Sequence, residues 1–303
     1  EECVCIYCAN FTLCLAALSN AGGKHLSLED VKTLCLCENP LEECLLLNCK
    51  SCPKKDGLTL ESLSINEEDE VELAIWESGE LIKKHLEGNA FLNEIRKWAT
   101  KYIPHWIIRQ AQRLAICFEK SQIKPRTAVL HFDFAENWSV VLPRAVQGFH
   151  WINQMVSIFT CVATTQQKTY SFGVISDDIV HDTAHALFAL SAIEEWLEEN
   201  IPVFLELIYV SDGAASHFKN RFQLHEMVKR NEVTKWIFSA TGHGKSACDG
   251  VGAVLKHQAC LHNLRSSELE TIGCAEDFFL RGCRKSTWNR TSKKLCNLPE
   301  RLP

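Results

Sequence analysis

The chain has 303 residues, 46% of them hydrophobic, with a formal charge of −6 and a pI near 6.1. That apolar content supports one large core or two smaller ones and excludes a disordered chain. The weak negative balance argues mildly against a protein that coats DNA through a global basic field and confines any nucleic-acid contact to local patches. No charged-then-apolar leader opens the sequence, and no run of about 18 uninterrupted apolar residues is present, so a soluble protein without membrane contact is expected. The first residue, Glu1, is not methionine, which leaves open that the chain is a piece of a longer one.

Residues 1–57 form a cysteine-rich head. Nine of the sixteen cysteines lie at or before position 52. Without a secretory signal, such clustering favours metal over disulfides, and the sequons at Asn10, Asn137 and Asn289 carry no expectation of a glycan. Two Cys-x-x-Cys pairs, Cys5/Cys8 and Cys49/Cys52, can each grip a tetrahedral ion through neighbouring thiolates. The 40 residues between the pairs leave room for an embedded helix, Phe11 to Ala21. A structural Zn²⁺ is expected on Cys5, Cys8, Cys49 and Cys52, with Cys37 and Cys44 as alternatives or as a second partial site. The plainer reading is a set of small buried thiols.

An acidic linker, Glu67 to Glu70, leads into residues 66–124, where apolar residues recur at three and four (Leu73, Trp76, Leu81, Phe91, Ile95, Trp98). Two or three helices broken at Gly88 and Pro104 are expected there. After Pro125 the pattern changes to apolar runs. Thr127–Phe134, Trp138–Leu142, Val156–Ala163, Tyr170–Ser176, Pro202–Val210 and Thr234–Ala240 read as strands. Asp182–Glu199, Ser216–Lys229 and about Lys245–Leu264 read as helices, the first capped by the acidic cluster Asp177, Asp178 and Asp182. Strands in a row, followed by strands alternating with helices, predict an α/β domain over 125–265 with a mixed sheet and flanking helices. Residues 266–303 form a helical and basic extension, in which Arg281 to Lys294 is the densest basic tract.

Three aspartates occupy comparable places: Asp133 within or at the end of the first strand, Asp212 directly after Val210-Ser211, and Asp249 near the start of the last helix. Their spacings are 79 and 37 residues. Ligand sites in open α/β sheets collect at the carboxyl ends of strands. Carboxylates converging there repel one another unless hard cations such as Mg²⁺ or Mn²⁺ neutralise them, and two such ions support phosphodiester chemistry. Any one aspartate in such a place is more often a cap or turn former; three in one sheet shift the balance toward a site. Around Asp249, in Thr241-Gly-His-Gly-Lys-Ser-Ala-Cys-Asp249, His243 and Lys245 are candidates for holding a DNA phosphate. The glycine spacing does not match a nucleotide-binding loop. Lys219 and Arg221, after Asp212, are further candidate DNA contacts, and His150-Trp151 is a candidate site wall.

The segments HFDFAENWSV, VQGFHW, VSDGAASHFKNRF and FSATGHGKSACDGVGAVLKH resemble the characteristic blocks of a family of transposon-derived animal proteins, which is similar to the DDE/DDD transposases. The resemblance covers nearly the whole chain. It implies a ribonuclease-H-like five-stranded sheet preceded by a helical segment and a zinc module, with Asp133, Asp212 and Asp249 binding two Mg²⁺ or Mn²⁺ ions. It also implies DNA cleavage and strand transfer on transposon ends and target DNA, in the nucleus, by a homo-oligomer. The chain departs from the family pattern at Arg144-Ala-Val146, His217, Ala247-Cys248 and Ala253, and keeps all three aspartates. The alternative is a catalytically inactive, zinc-stabilised DNA- or protein-binding descendant.

Overall fold

The computed structural model describes residues 5–142, 145–148, 154–201, 206–230, 233–282 and 294–298. The chain divides into two compact units, residues 1–113 with 240–243, and residues 114–239 with 244–303.

The first unit begins with helix α1 (Ile6–Asn20) and continues through α2 (Leu28–Cys35), α3 (Glu42–Leu45) and α4 (Leu60–Leu63). Ser27 caps α2 and Thr59 caps α4, each in a reciprocal capping box that satisfies free amide groups at the helix start. Between residues 66 and 88 the structure corrects the helical expectation. Glu70–Glu77 (β1) and Glu80–Glu87 (β2) pair as an antiparallel hairpin. The alternation Val71, Leu73 and Ile75, all fully buried, is a strand period that the helical spacings obscure. Ser78 (φ 51°) and Gly79 (φ 88°) make the turn, and two consecutive positive φ angles are the signature of a tight hairpin. The buried Asn10 fixes α1 to β1: its amide donates to the Trp76 carbonyl at 2.8 Å and accepts from the Trp76 N–H at 2.7 Å.

Helix α5 (Gly88–Ser121) is a single helix of 34 residues, where two or three were expected. Pro104 lies inside it and removes one intrahelical bond without ending it. Phe91, Ile95, Trp98 and Ile103 bury against the core that α1, α2 and β1 also enter.

The second unit holds a six-stranded sheet. Its strands are β3 (Thr127–Ser139), β4 (Met155–Thr165), β5 (Thr169–Ser176), β6 (Glu206–Ser211), β7 (Val233–Phe238) and β8 (Lys294–Leu298). The spatial order is β7-β6-β3-β4-β5-β8. Strands β3, β4 and β5 are antiparallel neighbours, whereas β6 lies parallel to β3 and β7 parallel to β6. The expected separate strand at Trp138 is the end of β3, continuous across a bulge between Ala135 and Trp138. In the extension expected to be helical and basic, the described residues form short helical turns at Glu268–Glu270 and over residues 275–282 and add a strand, β8, to the edge of β5.

Helix α6 (Thr183–Asn200), capped as expected by Asp182, and helix α7 (Arg221–Lys229), capped by Asn220, connect β5 to β6 and β6 to β7. Ala186, Leu190 and Ile193 of α6 bury against Ala128, Leu130 and Phe132 of β3. Helix α8 (Ala247–Arg265) packs Cys248, Val251 and Leu255 with Val156, Ile158 and Val162. Side chains alternate across a sheet, so α8 covers the face that carries Asp133 and Ala135 and, beyond the bulge, Trp138. No helix of the described residues is long and apolar enough to cross a membrane.

Candidate functional site

Strand β3 pairs with β6 at a constant offset, Thr127 with Glu206 through His131 with Val210. Continued by two residues, this register sets Asp133 beside Asp212, the residue directly after β6. The 79-residue spacing of the two aspartates is therefore the register of the two parallel strands. On β4, Thr160 lies opposite Asp133, and its hydroxyl donates to the Asp133 carbonyl at 3.0 Å. Asp249 stands in the first turn of α8, which comes very close to β3. A Cβ added at Gly252 would sit 2.9 Å from the Cβ of Ala135, so a glycine is needed where helix and strand meet. A Cβ at Gly244, in the loop that precedes α8, would lie 3.3 Å from the Cβ of Asp212.

The carboxyl of Asp133 is pushed up from 3.8 to about 7, first by burial, then by the charge of Asp212, with Asp249 adding to it; the Phe134 N–H opposes them. Oδ1 of Asp212 accepts from the Ala214 N–H at 3.1 Å. Oδ2 of Asp249 accepts from the Ser246 N–H at 2.7 Å, as the third helical residue of a capping box. Behind Asp133, His131 is held down at about 4 by burial and by the Lys120 ammonium. The Lys120 Nζ lies 3.2 Å from its Nδ1. The Cys248 thiol donates to the His131 carbonyl at 2.9 Å. Lys120 and His131 carry no sequence signal that separates them from an ordinary helix end and strand.

Of the expected DNA contacts in this unit, Lys245, Lys219 and Arg221 are exposed. The Lys219 Nζ lies 5.5 Å from the centre of the Phe238 ring, and the Arg221 guanidinium 4.8 Å from that of Phe222. His150 and Trp151 lie outside the described residues, as does most of the basic tract from Arg281 to Lys294.

The cysteines assemble differently from the expected quartet of Cys5, Cys8, Cys49 and Cys52. Two groups of side chains among the described residues have ligand atoms that all lie within 4.8 Å of one another: Cys37, Cys44, Cys49 and Cys52, and Cys5, Cys8, His105 and His243. Fold geometry separates the two Cys-x-x-Cys pairs, because Cys5 and Cys8 begin α1 while Cys37 to Cys52 form a local loop around α3. His243, expected beside a phosphate, instead has its Nε2 3.3 Å from Cys8 Sγ. His105 was missed altogether.

The group of four cysteines can hold a structural metal such as zinc. Cys37 Sγ lies 3.4 Å from Cys52 Sγ and 4.0 Å from Cys49 Sγ. These separations bracket the edge of about 3.8 Å that Zn–S bonds of about 2.3 Å give a tetrahedron. The Cys49 thiol is lowered to about 7 by the Ser51 N–H, the Cys44 side chain and the Cys52 N–H, whereas Cys37 is pushed up to about 12 by the Cys52 thiol and by burial, so without a metal the group shares its protons unevenly.

Residues 112–294 match the family model described as "Domain of unknown function (DUF8701)". The match covers more than half of the 303 residues, and the chain belongs to that family. Comparison with curated proteins and with solved structures found no match.

Proposed function

We propose that the second unit is a ribonuclease-H-like domain that cuts and joins DNA by divalent-metal phosphoryl transfer, in a protein descended from a DNA transposase and acting on transposon ends and target DNA in the nucleus. The observation that carries the reading is the placement of three aspartates. Asp133 and Asp212 fall in register on neighbouring parallel strands, and Asp249 starts the helix packed on the face of β3 that bears Asp133. The topology supports it. Numbered within the unit, the first five strands run 3-2-1-4-5, with the second antiparallel and the fourth parallel to the first.

Three carboxylates here, one of them raised by burial and by the charges of the other two, form a donor set suited to hard cations. Bound there, two Mg²⁺ or Mn²⁺ ions would activate an attacking water or 3′ hydroxyl and stabilise the leaving oxygen. Asp133, on the strand that both β6 and α8 lie against, would be the shared ligand, with Asp212 and Asp249 each completing one side. The exposed Lys245, four residues before Asp249, would hold a DNA phosphate.

Asp133→Asn, Asp212→Asn and Asp249→Asn are each expected to lower Mn²⁺-dependent cleavage of DNA carrying the terminal repeats of the source element by at least ~100-fold, the scale on which an essential electrostatic group acts. Circular dichroism should be unchanged. Undiminished cleavage by the Asp249→Asn protein overturns the assignment. One observation favours a second reading, a catalytically inactive zinc-stabilised DNA- or protein-binding protein: an oxygen of Asp249 is already engaged in capping α8. That reading predicts DNA retention without Mn²⁺-dependent cleavage in the unmodified protein.

A further inference from the structure

Cys5, Cys8, His105 and His243 are joined by no sequence motif: the two cysteines begin α1, His105 follows Pro104 inside α5, and His243 lies in the turn between β7 and α8. All four belong to the first unit, although His243 alone falls within the family match. Cys5 is the residue before α1, yet its side chain makes no capping bond there. Its Sγ instead lies 3.3 Å from His105 Nε2. Cys8 Sγ lies 3.3 Å from His243 Nε2, and the two Nε2 atoms are 3.1 Å apart. Zn–S bonds of about 2.3 Å and Zn–N bonds of about 2.0 Å give tetrahedral edges of about 3.5 Å for S···N and about 3.3 Å for N···N.

The backbone is shaped for this meeting. Gly242 adopts φ +73°, and a Cβ there would sit 2.9 Å from Cys5 Cβ. Only a glycine lets the turn come this near to Cys5. The turn closes with a bond from the His243 N–H to the Ala240 carbonyl at 2.9 Å. The Tyr7 ring lies against His105, with centroids 5.0 Å apart.

We propose that Cys5, Cys8, His105 and His243 bind a structural Zn²⁺ ion, separate from any ion held by the four-cysteine group, that fastens the turn of residues 240–243 to the amino-terminal unit. On binding, the two thiols lose their protons to solvent and two neutral imidazoles complete the tetrahedron. Two thiolates balance the 2+ ion, so the half-buried centre carries no net charge and no large desolvation penalty. The ion links residues 5 and 243 of one chain, an interval that no disulfide or helix spans among the described residues. Zinc binding here does not depend on whether the protein cleaves DNA.

Zinc is measured by inductively coupled plasma mass spectrometry on the full chain purified with Zn²⁺ and desalted. Two ions per chain are expected in the unmodified protein, one in the His105→Ala/His243→Ala protein, and one in the Cys37→Ser/Cys44→Ser protein. A single ion in the unmodified protein that the His105→Ala/His243→Ala protein keeps, or two retained by the double histidine variant, overturns the proposal. Should that variant not fold, Co²⁺ titration of the unmodified apo-protein decides. Thiolate charge-transfer absorbance should keep rising to two equivalents and end about half as large again as at the first, as six Co–S bonds replace four. Saturation at one equivalent with the absorbance of four Co–S bonds overturns the proposal. Trypsin gives a third reading, since Lys245 is exposed two residues after His243. Chelation should speed cleavage there, and cleavage unaffected by chelation counts against the clamp.

Discussion

Asp133 is raised from 3.8 to about 7, with burial as the main cause and the Asp212 charge second. In the unfolded chain the same carboxyl titrates near 3.9. Between those values the folded protein holds a proton that the unfolded chain has released, so the contribution of this residue to stability falls as pH rises from about 4 to about 7 and is level above that. A divalent cation needs the carboxylate and reverses the penalty, so Mn²⁺ should stabilise the protein more at pH 8 than at pH 5. Asp133→Asn should make the cation-free protein more stable at pH 8 by roughly 2–4 kcal/mol and erase the Mn²⁺ increment, measured by urea unfolding at both pH values. An Asn variant with the same pH slope and Mn²⁺ response as the unmodified protein rules out a perturbed, metal-linked Asp133. At this scale the sequence was partly legible. Asp133 and Asp212 stood out because each ends an apolar run, and their spacing turned out to be a strand register. His105 left no trace, because its partners lie 97 to 138 residues away and it sits inside a helix beside Pro104.

Helix α8 shows how one element positions a side chain through another residue. Gly252, three residues after Asp249, allows the helix to lie directly on Ala135. In Gly252→Ala the new methyl meets a Cβ that has no rotamer into which to retreat. The gain in helix propensity of about 1 kcal/mol is outweighed, and a net loss of about 1–2 kcal/mol is expected, together with weaker Mn²⁺ binding as the first turn shifts. Gly250, in the same helix, has open space where its Cβ would be. Gly250→Ala should stabilise by up to about 1 kcal/mol. Equal effects from the two substitutions, measured by thermal melting, would show that helix propensity alone governs both sites. Elements were readable where one periodicity dominated, as in the long buried run of β3 and the apolar face of α6. The hairpin β1–β2 was not readable. Leu73 and Trp76 mimic a helical spacing, and β2 is so exposed that its alternation carries little apolar signal. Nor does Pro104 divide α5, because apolar residues before it are already anchored in the core and one lost hydrogen bond is a modest cost against that packing.

At the scale of the molecule, the family match begins at residue 112 and the second unit at Leu114, while the cysteine-rich head lies outside the match. The first unit draws on the head, the hairpin and most of α5 for a single core, into which Cys35, Cys44 and Cys52 are buried. The loop that carries the four clustered cysteines hangs on short elements: α3 has four residues, the turn at Lys54–Gly57 four, and α4 four. Helices this short do not hold themselves in water. Gly57 lies so close to the Leu34 carbonyl that a Cβ would come within 1.8 Å of it, which pins the loop to the end of α2 only while the loop keeps its shape. A metal on Cys37, Cys44, Cys49 and Cys52 would supply the missing order, and binding energy there is folding energy. Chelation, or Cys49→Ser/Cys52→Ser, is therefore expected to abolish amide hydrogen-exchange protection over residues 41–58 and to lower it in α2, where Val31 and Cys35 enter the same core. Re-addition of Zn²⁺ should restore protection in the chelated protein and not in the variant. Protection over 41–58 that persists without metal would mean that packing of Cys35, Cys44 and Cys52 holds the loop by itself and that these thiols serve as core residues.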